Sequence, residues 1–113
     1  MGIDPELWRK NIKDDLDWLS DEDHQRRVWA HNLSDWDFPD EAVYSLGDHA
    51  FAEFIDAPEI GLNPAQKAKA REFKAVFDRF LEERPAHLEG AWLVDDPRWV
   101  HIRKLARELL DML

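Results

Sequence analysis

Apolar residues recur along the chain at intervals of three and four positions, which is the period of an amphipathic helix. The first stripe predicts a helix over residues 5–19 and consists of Trp8, Ile12, Leu16 and Leu19. The clearest stripe predicts a helix over residues 64–84 and consists of Phe73, Val76, Phe77, Phe80 and Leu81. The last predicts a helix from residue 97 onward, with Trp99, Ile102, Ala106, Leu109 and Leu113 facing inward. The pattern therefore predicts three long helices that share a core.

A second, shorter helix is predicted after the first. Ser20 and Asp23 resemble a capping box with Asp in place of Glu, so we expect this helix to begin near residue 21. Its apolar face consists of Val28 and Trp29, and Leu33 is a further candidate for it. Residues 91–94 could form one short extended piece, but a lone strand has nothing to pair with. We therefore predict that residues 86–95 form a loop that Trp92 and Leu93 hold against the core.

A further helix is predicted in the middle of the chain, from Pro39 or the residue after it to the turn at Pro58. Its apolar positions are Val43, Leu46, Ala50, Phe51, Phe54 and Ile55. Gly47 and Asp48 lie within it, and a glycine weakens a helix interior by about 1 kcal/mol, so we expect a division into two pieces there.

Capping residues directly precede proline at three places, Asp4-Pro5, Asn63-Pro64 and Asp96-Pro97. Asp or Asn at an N-cap accepts a backbone N–H, and proline at the first helical position loses no hydrogen bond. Strand-forming residues are scarce, since Val and Ile occur five times each and Thr is absent. We therefore predict an all-α fold, a single four- to five-helix bundle in which residues 1–113 form one acidic domain.

Charge is distributed unevenly along this domain. Residues 1–63 contain 16 acidic and five basic residues, whereas residues 64–113 contain nine acidic and ten basic ones, which gives a net charge of −10. No Lys or Arg occurs between Arg27 and Lys67. A field of this sign repels a polyphosphate backbone, so we expect no nucleic-acid binding. The same field attracts a basic protein partner.

Several other classes of protein conflict with the composition. The chain contains no cysteine, which excludes disulfides, thiolate metal sites and cysteine nucleophiles and is compatible with a cytoplasmic location. No apolar run approaches the ~20 residues that a membrane-spanning helix needs, so we expect no membrane association. The three serines lie outside any nucleophile elbow, and the four glycines form no phosphate-binding loop. We expect no enzymatic activity and no cofactor.

Residues 34–48 combine aromatic rings with carboxylates and contain no positive charge. An aromatic ring among carboxylates can anchor a Lys or Arg side chain through burial and cation–π contact. The candidate partner-binding residues are Asp35, Trp36, Asp37, Asp40, Glu41, Tyr44 and Asp48. The plainer interpretation is that Trp36 and Phe38 close one end of the bundle. If the acids form an exposed face, neutralising Asp35 and Asp37 should leave the fold intact.

Three functional hypotheses follow. The first is a protein-binding domain whose acidic face docks a basic partner, in its concrete form an immunity protein or inhibitor that neutralises a toxin or nuclease. The second is a metal-binding or enzymatic bundle that uses His24, His31, His49 and nearby carboxylates. The third is a structural or regulatory domain that forms homo-oligomers through apolar surface. No recognisable family motif decides among them.

Overall fold

The computed structural model of the protein describes residues 4–31, 37, 39–83 and 90–113. Seven helices follow one another in these segments: α1 (Pro5–Ser20), α2 (Glu22–His24), α3 (Pro39–Asp48), α4 (Phe51–Asp56), α5 (Pro64–Glu83), α6 (Gly90–Leu93) and α7 (Pro97–Met112). A π-helical turn, Gln25–Trp29, continues α2. The described segments contain no strand, and the prediction of an all-α bundle is confirmed.

The predicted caps before α1, α5 and α7 are present. Asp4 and Asp96 each accept the backbone N–H two residues further on, at 3.0 and 2.8 Å. Asn63 and Gln66 cap each other reciprocally, each side-chain oxygen accepting the other's backbone N–H at 2.8 Å. These local contacts explain why the beginnings of the three long helices could be predicted from sequence.

The beginning of α2 differs from the predicted capping box. Asp21 is the N-cap, and its Oδ1 accepts the backbone N–H of His24 at 3.0 Å. The Ser20 hydroxyl instead donates to the carbonyl of Asp17 at 3.2 Å, within the last turn of α1. An ionised carboxylate is the stronger acceptor for an N-terminal N–H, which explains why Asp21 takes this place.

The central helix is divided, as predicted, but at a different point. α3 continues through Gly47 and Asp48, and the break falls at His49 and Ala50. Ala50 has a φ of 55°, a left-handed conformation that costs a non-glycine residue about 1–2 kcal/mol. Contacts from α1 hold this turn, since the Trp8 indole donates to the His49 carbonyl at 2.8 Å and Asp15 binds the His49 ring.

Residues 90–93 form a short helix rather than a loop. Leu93 is fully buried, as expected, but Trp92 is 43% exposed, so the prediction that Trp92 packs in the core is wrong. The Arg98 guanidinium lies 5.8 Å from the centre of the Trp92 ring and 5.2 Å from that of Phe80. Trp92 therefore covers Arg98 at the surface.

The core lies between α1, α5 and α7, with α3 packed on α1 and α4 packed on α5. Most of the predicted inward residues of the long helices are buried, Phe77 and Phe80 among them. Val76, Leu81 and Leu113 are only partly buried and pack at its edge. None of the described helices is both long enough and apolar enough to cross a membrane.

One polar side chain is fully buried where α1, the π-helical turn and α7 meet. The Gln25 amide donates to the carbonyls of Trp18 and Leu19 at 3.1 and 2.9 Å. Its oxygen accepts from Trp99 Nε1 at 3.0 Å and from the Arg103 guanidinium at 3.2 Å. All four hydrogen-bonding positions of the amide are thus used, which makes its burial tolerable and fixes how the three elements meet.

Candidate protein-binding site

The acidic residues predicted on α3 lie on its outer side. Asp40, Tyr44 and Asp48 are spaced by four residues, and Glu41 lies beside them on the same face. Glu41 and Asp48 are exposed, Asp40 is half-buried, and Tyr44 is 51% exposed. Among the described residues, neither Glu41 nor Asp48 forms an ion pair with Lys or Arg. The helix therefore presents one exposed tyrosine together with carboxylates.

A groove of 420 Å³ runs beside this face, between α3 and α4 on one side and α5 on the other. We call it the α3 groove. Its floor is apolar and is formed by the edges of Val43, Leu46, Phe51 and Phe77. Its walls include Tyr44, Gly47, Asp48 and Ala52 on the α3–α4 side and Lys74, Asp78 and Leu81 on the α5 side. An apolar floor with a small number of polar groups at the rim is typical of binding clefts.

The two sides of the α3 groove differ in charge. On α5, the Lys74 ammonium binds the Asp78 carboxylate at 2.5 Å, so the two charges cancel locally. On α3, Asp48 has no cationic partner among the described residues, and Glu41 lies further along the same face. The rim therefore carries a net negative charge that comes chiefly from α3.

Asp37 belongs to the same acidic segment, but its carboxylate is buried, with 8% of the residue exposed. Its Oδ1 accepts from the indoles of Trp18 and Trp29, both at 2.9 Å. Its Oδ2 lies 2.6 Å from Nε2 of His24. The Asp37 carboxylate satisfies two indole donors at the edge of the core, so we expect neutralising Asp37 to weaken the fold. Asp37 is therefore not part of the proposed docking surface. Asp35 and Trp36 lie outside the described residues.

Three exposed acids of α1 and α2 have cationic partners within the protein. Asp14 binds Lys10 at 2.7 Å, Asp17 binds Arg107 at 3.3 Å and Glu22 binds Arg26 at 2.8 Å. Glu22 also lies 3.4 Å from Arg103, so two basic residues of α7, Arg103 and Arg107, lie against the acidic half of the chain. Exposed pairs of this kind stabilise little, but they reduce the field on this side of the molecule.

The three histidines of the metal-site hypothesis, His24, His31 and His49, do not converge on one site. His24 binds Asp37, whereas His49 binds Asp15 through Nδ1 at 2.5 Å. His31 is exposed. Within the described part of the chain, no group of three or more His, Asp and Glu side chains is arranged to hold a metal ion.

Asp15 is a second carboxylate that serves the interior. It is 4% exposed, and its Oδ1 accepts from the Ser45 hydroxyl at 2.6 Å while its Oδ2 binds His49. Burial raises the pKa of this carboxyl above its ordinary value, and the hydrogen bonds from Ser45 and His49 oppose that effect. Because the side chains of Ser45 and His49 both bind the aspartate and not each other, the arrangement differs from that of a hydrolytic triad.

Sequence reasoning missed the groove residues other than Tyr44 and Asp48. Ala52 and Phe77 belong to different helices, and no pattern along the chain shows that they share a cleft. Gly47 is the one groove residue whose type could have drawn attention to the site, because a glycine is unusual inside a helix. It lies within α3 without a positive φ, and no heavy atom lies within 4 Å of the place where a Cβ would be. Neither backbone conformation nor crowding requires a glycine at this position.

Comparison with known proteins gives one match. Residues 5–113 match the family model described as a domain of unknown function, DUF7945. No curated protein and no solved structure matches the chain. Since the match covers nearly all of the sequence, the chain belongs to the DUF7945 family.

Proposed function

We propose that this protein binds a basic protein partner through the outer face of α3. The observation that carries the proposal is the placement of Glu41, Tyr44 and Asp48 on one exposed face beside an apolar groove. Exposed aromatic rings provide binding energy, and surrounding carboxylates speed encounter with a cationic surface. Residues 28–66 contain no Lys or Arg, so no cation within this segment offsets that field.

The concrete form of the proposal is an immunity protein or inhibitor that covers the basic cleft of a toxin or nuclease. A small acidic domain suits this task, because enzymes that cleave nucleic acids present positive charge to their substrates. The lack of cysteine suits a reducing compartment, and we propose the cytoplasm as the place of action. The binding role is that of a stoichiometric partner, without enzymatic activity of its own.

The test uses affinity capture from the native host with three forms of the protein. The first is the wild type. The second is a rim variant, Asp40→Asn with Glu41→Gln and Asp48→Asn. The third is a distal variant, Asp23→Asn with Glu59→Gln and Asp111→Asn, which removes the same charges from exposed positions elsewhere. Asp23 lies in a first helical turn, as do Asp40 and Glu41, so helix-dipole effects are also represented in the control.

We expect a basic protein that the wild type and the distal variant retain and that the rim variant loses. Its association rate with the wild type should fall as salt is raised, because screening weakens the long-range attraction. Equal retention by all three forms would contradict the proposal. Retention that falls equally in both triple variants would show a dependence on net charge alone and would also contradict it.

A further inference from the structure

We infer that the α3 groove receives the apolar face of a basic amphipathic helix supplied by the partner. This inference rests on the proposed function and specifies the shape and chemistry of what is bound. The groove has helices as both walls, and the described residues offer no strand edge to which an extended segment could add by main-chain hydrogen bonds. Among the recurrent modes of peptide recognition, a helix in a groove fits these walls.

The residues that line the groove indicate an apolar face on the occupant. Phe77 and Leu46 close the floor with little exposure of their own, whereas Tyr44 and Leu81 leave apolar surface uncovered at the sides. Leu, Met or aromatic side chains inserted between these walls would bury surface that is now in contact with water. Burial of this kind supplies most of the affinity in a helix–groove complex.

The acidic residues at and near the rim indicate basic residues on the occupant. Asp48 stands at the groove, and Glu41 lies about two turns before it on α3. The only cation lining the groove among the described residues is Lys74, and Asp78 neutralises it. A helix with Lys or Arg beside its apolar stripe would place positive charge against Asp48 and Glu41, whereas an acidic helix would meet repulsion.

Gly47 is the residue that keeps the groove open. A glycine in a helix interior costs about 1 kcal/mol relative to alanine, and the backbone of α3 does not require one. The absence of a side chain at this position leaves space beside Tyr44 and Asp48 for an incoming residue. Helix stability therefore favours a larger residue at position 47, whereas binding favours glycine. A mutation at this position can fill the groove without damage to the core.

The probe is a synthetic helical peptide of about 18 residues, roughly five turns, with Leu on one face and Lys on the other. A shuffled peptide of the same composition removes the apolar stripe and keeps the charge. A third peptide carries Glu in place of Lys and keeps the stripe. Fluorescein-labelled forms of all three are titrated with the protein, and the dissociation constants are measured by anisotropy.

Two variants of Gly47 distinguish the effect of filling the groove on peptide binding from the effect of a more stable helix. Gly47→Ala and Gly47→Leu both improve helix propensity, but only the leucine projects far into the groove. We expect both to melt at or above the temperature of the wild type. The Lys–Leu peptide should bind Gly47→Ala as it binds the wild type, and it should bind Gly47→Leu at least about tenfold more weakly. The rim variant should lose affinity, and the distal variant should lose much less.

Each outcome decides one of the two claims. If the shuffled peptide binds as well as the striped one and Gly47→Leu has no effect, while the rim variant is weakened, the helix-in-groove inference fails and the proposed function stands. If rim and distal variants weaken equally, both fail. If the Glu–Leu peptide binds as tightly as the Lys–Leu peptide, the basic character of the occupant is wrong. If the wild type binds none of the peptides, the inference is overturned.

Discussion

Asp37 and Glu41 lie four residues apart in one acidic segment, yet they stand in opposite environments. Asp37 is buried and holds the indoles of Trp18 and Trp29 as well as His24, whereas Glu41 is exposed on the outer face of α3. A carboxylate that accepts hydrogen bonds from interior donors stabilises the fold, since its removal leaves buried polar groups without a partner. A carboxylate without such partners adds only charge to the surface. The same mutation should therefore destabilise the protein at Asp37 and change its stability little at Glu41.

The largest effect is expected for Asp37→Ala. The substitution leaves two indole N–H groups and His24 without their acceptor, so we expect it to lower the free energy of unfolding by about 3–5 kcal/mol. Glu41→Ala removes the same charge from the same segment and should change stability by no more than about 0.5 kcal/mol. Urea unfolding followed by tryptophan fluorescence measures both, and equal losses in the two variants would remove the distinction between the two carboxylates.

A smaller effect is expected at Asp96, which caps α7 and binds the Arg98 guanidinium through both carboxylate oxygens at 3.1 Å. The hydrogen bonds from Arg98 lower the pKa of this carboxyl below its ordinary value. Asp96→Ala should cost about 1–2 kcal/mol near neutral pH, within the range measured for helix caps. Because the folded-state pKa is depressed, this contribution is present above the ordinary value of 3.8 and is lost as pH falls through the folded-state pKa. Unfolding of wild type and variant at neutral and acidic pH should show the difference shrinking in acid.

Asp15 should show the opposite pH dependence. Burial raises its folded-state pKa above the ordinary value of 3.8, so the folded state binds the proton more tightly than the unfolded state does. Its contribution to stability is therefore largest at low pH and declines as pH rises through the folded-state pKa. Relative to Asp15→Asn, the wild type should lose stability over that rise. A difference that stays constant or grows with pH would contradict the effect of burial.

The long helices were predictable because their signals are local. The stripes repeat within each helix, and the caps of α1, α5 and α7 lie within three residues of the groups they bind. The position of the break after α3 was missed, because contacts from Trp8 and Asp15, far away along the chain, hold His49 next to the left-handed Ala50.

The candidate site was only partly predictable for the same reason. The exposure of Glu41 and Asp48 follows from the helical period of α3, which turns them away from Val43 and Leu46. The burial of Asp37 depends on Trp18, Trp29 and His24, which precede it by eight to nineteen residues. Buried indole N–H groups need acceptors, so a chain with six tryptophans requires some of its polar groups inside, but the sequence does not say which.

Glu41 and Asp48 are expected to add little to stability, and Asp48 shows this most clearly. It occupies the last position of α3, where a negative charge meets the negative end of the helix dipole. Among the described residues it has no Lys or Arg partner to offset that repulsion. Asp48→Asn should therefore raise the free energy of unfolding by about 0.3–1 kcal/mol at low salt.

The most direct test of the central claim is urea unfolding of Asp37→Asn and Asp48→Asn, measured side by side at low salt. The claim is that one acidic segment divides into an interior carboxylate that supports the fold and surface carboxylates that serve a partner. The two substitutions make the same chemical change. The account predicts a loss of about 1–2 kcal/mol for Asp37→Asn, since His24 loses its anionic partner, and a gain for Asp48→Asn. Losses of similar size in both variants would contradict it.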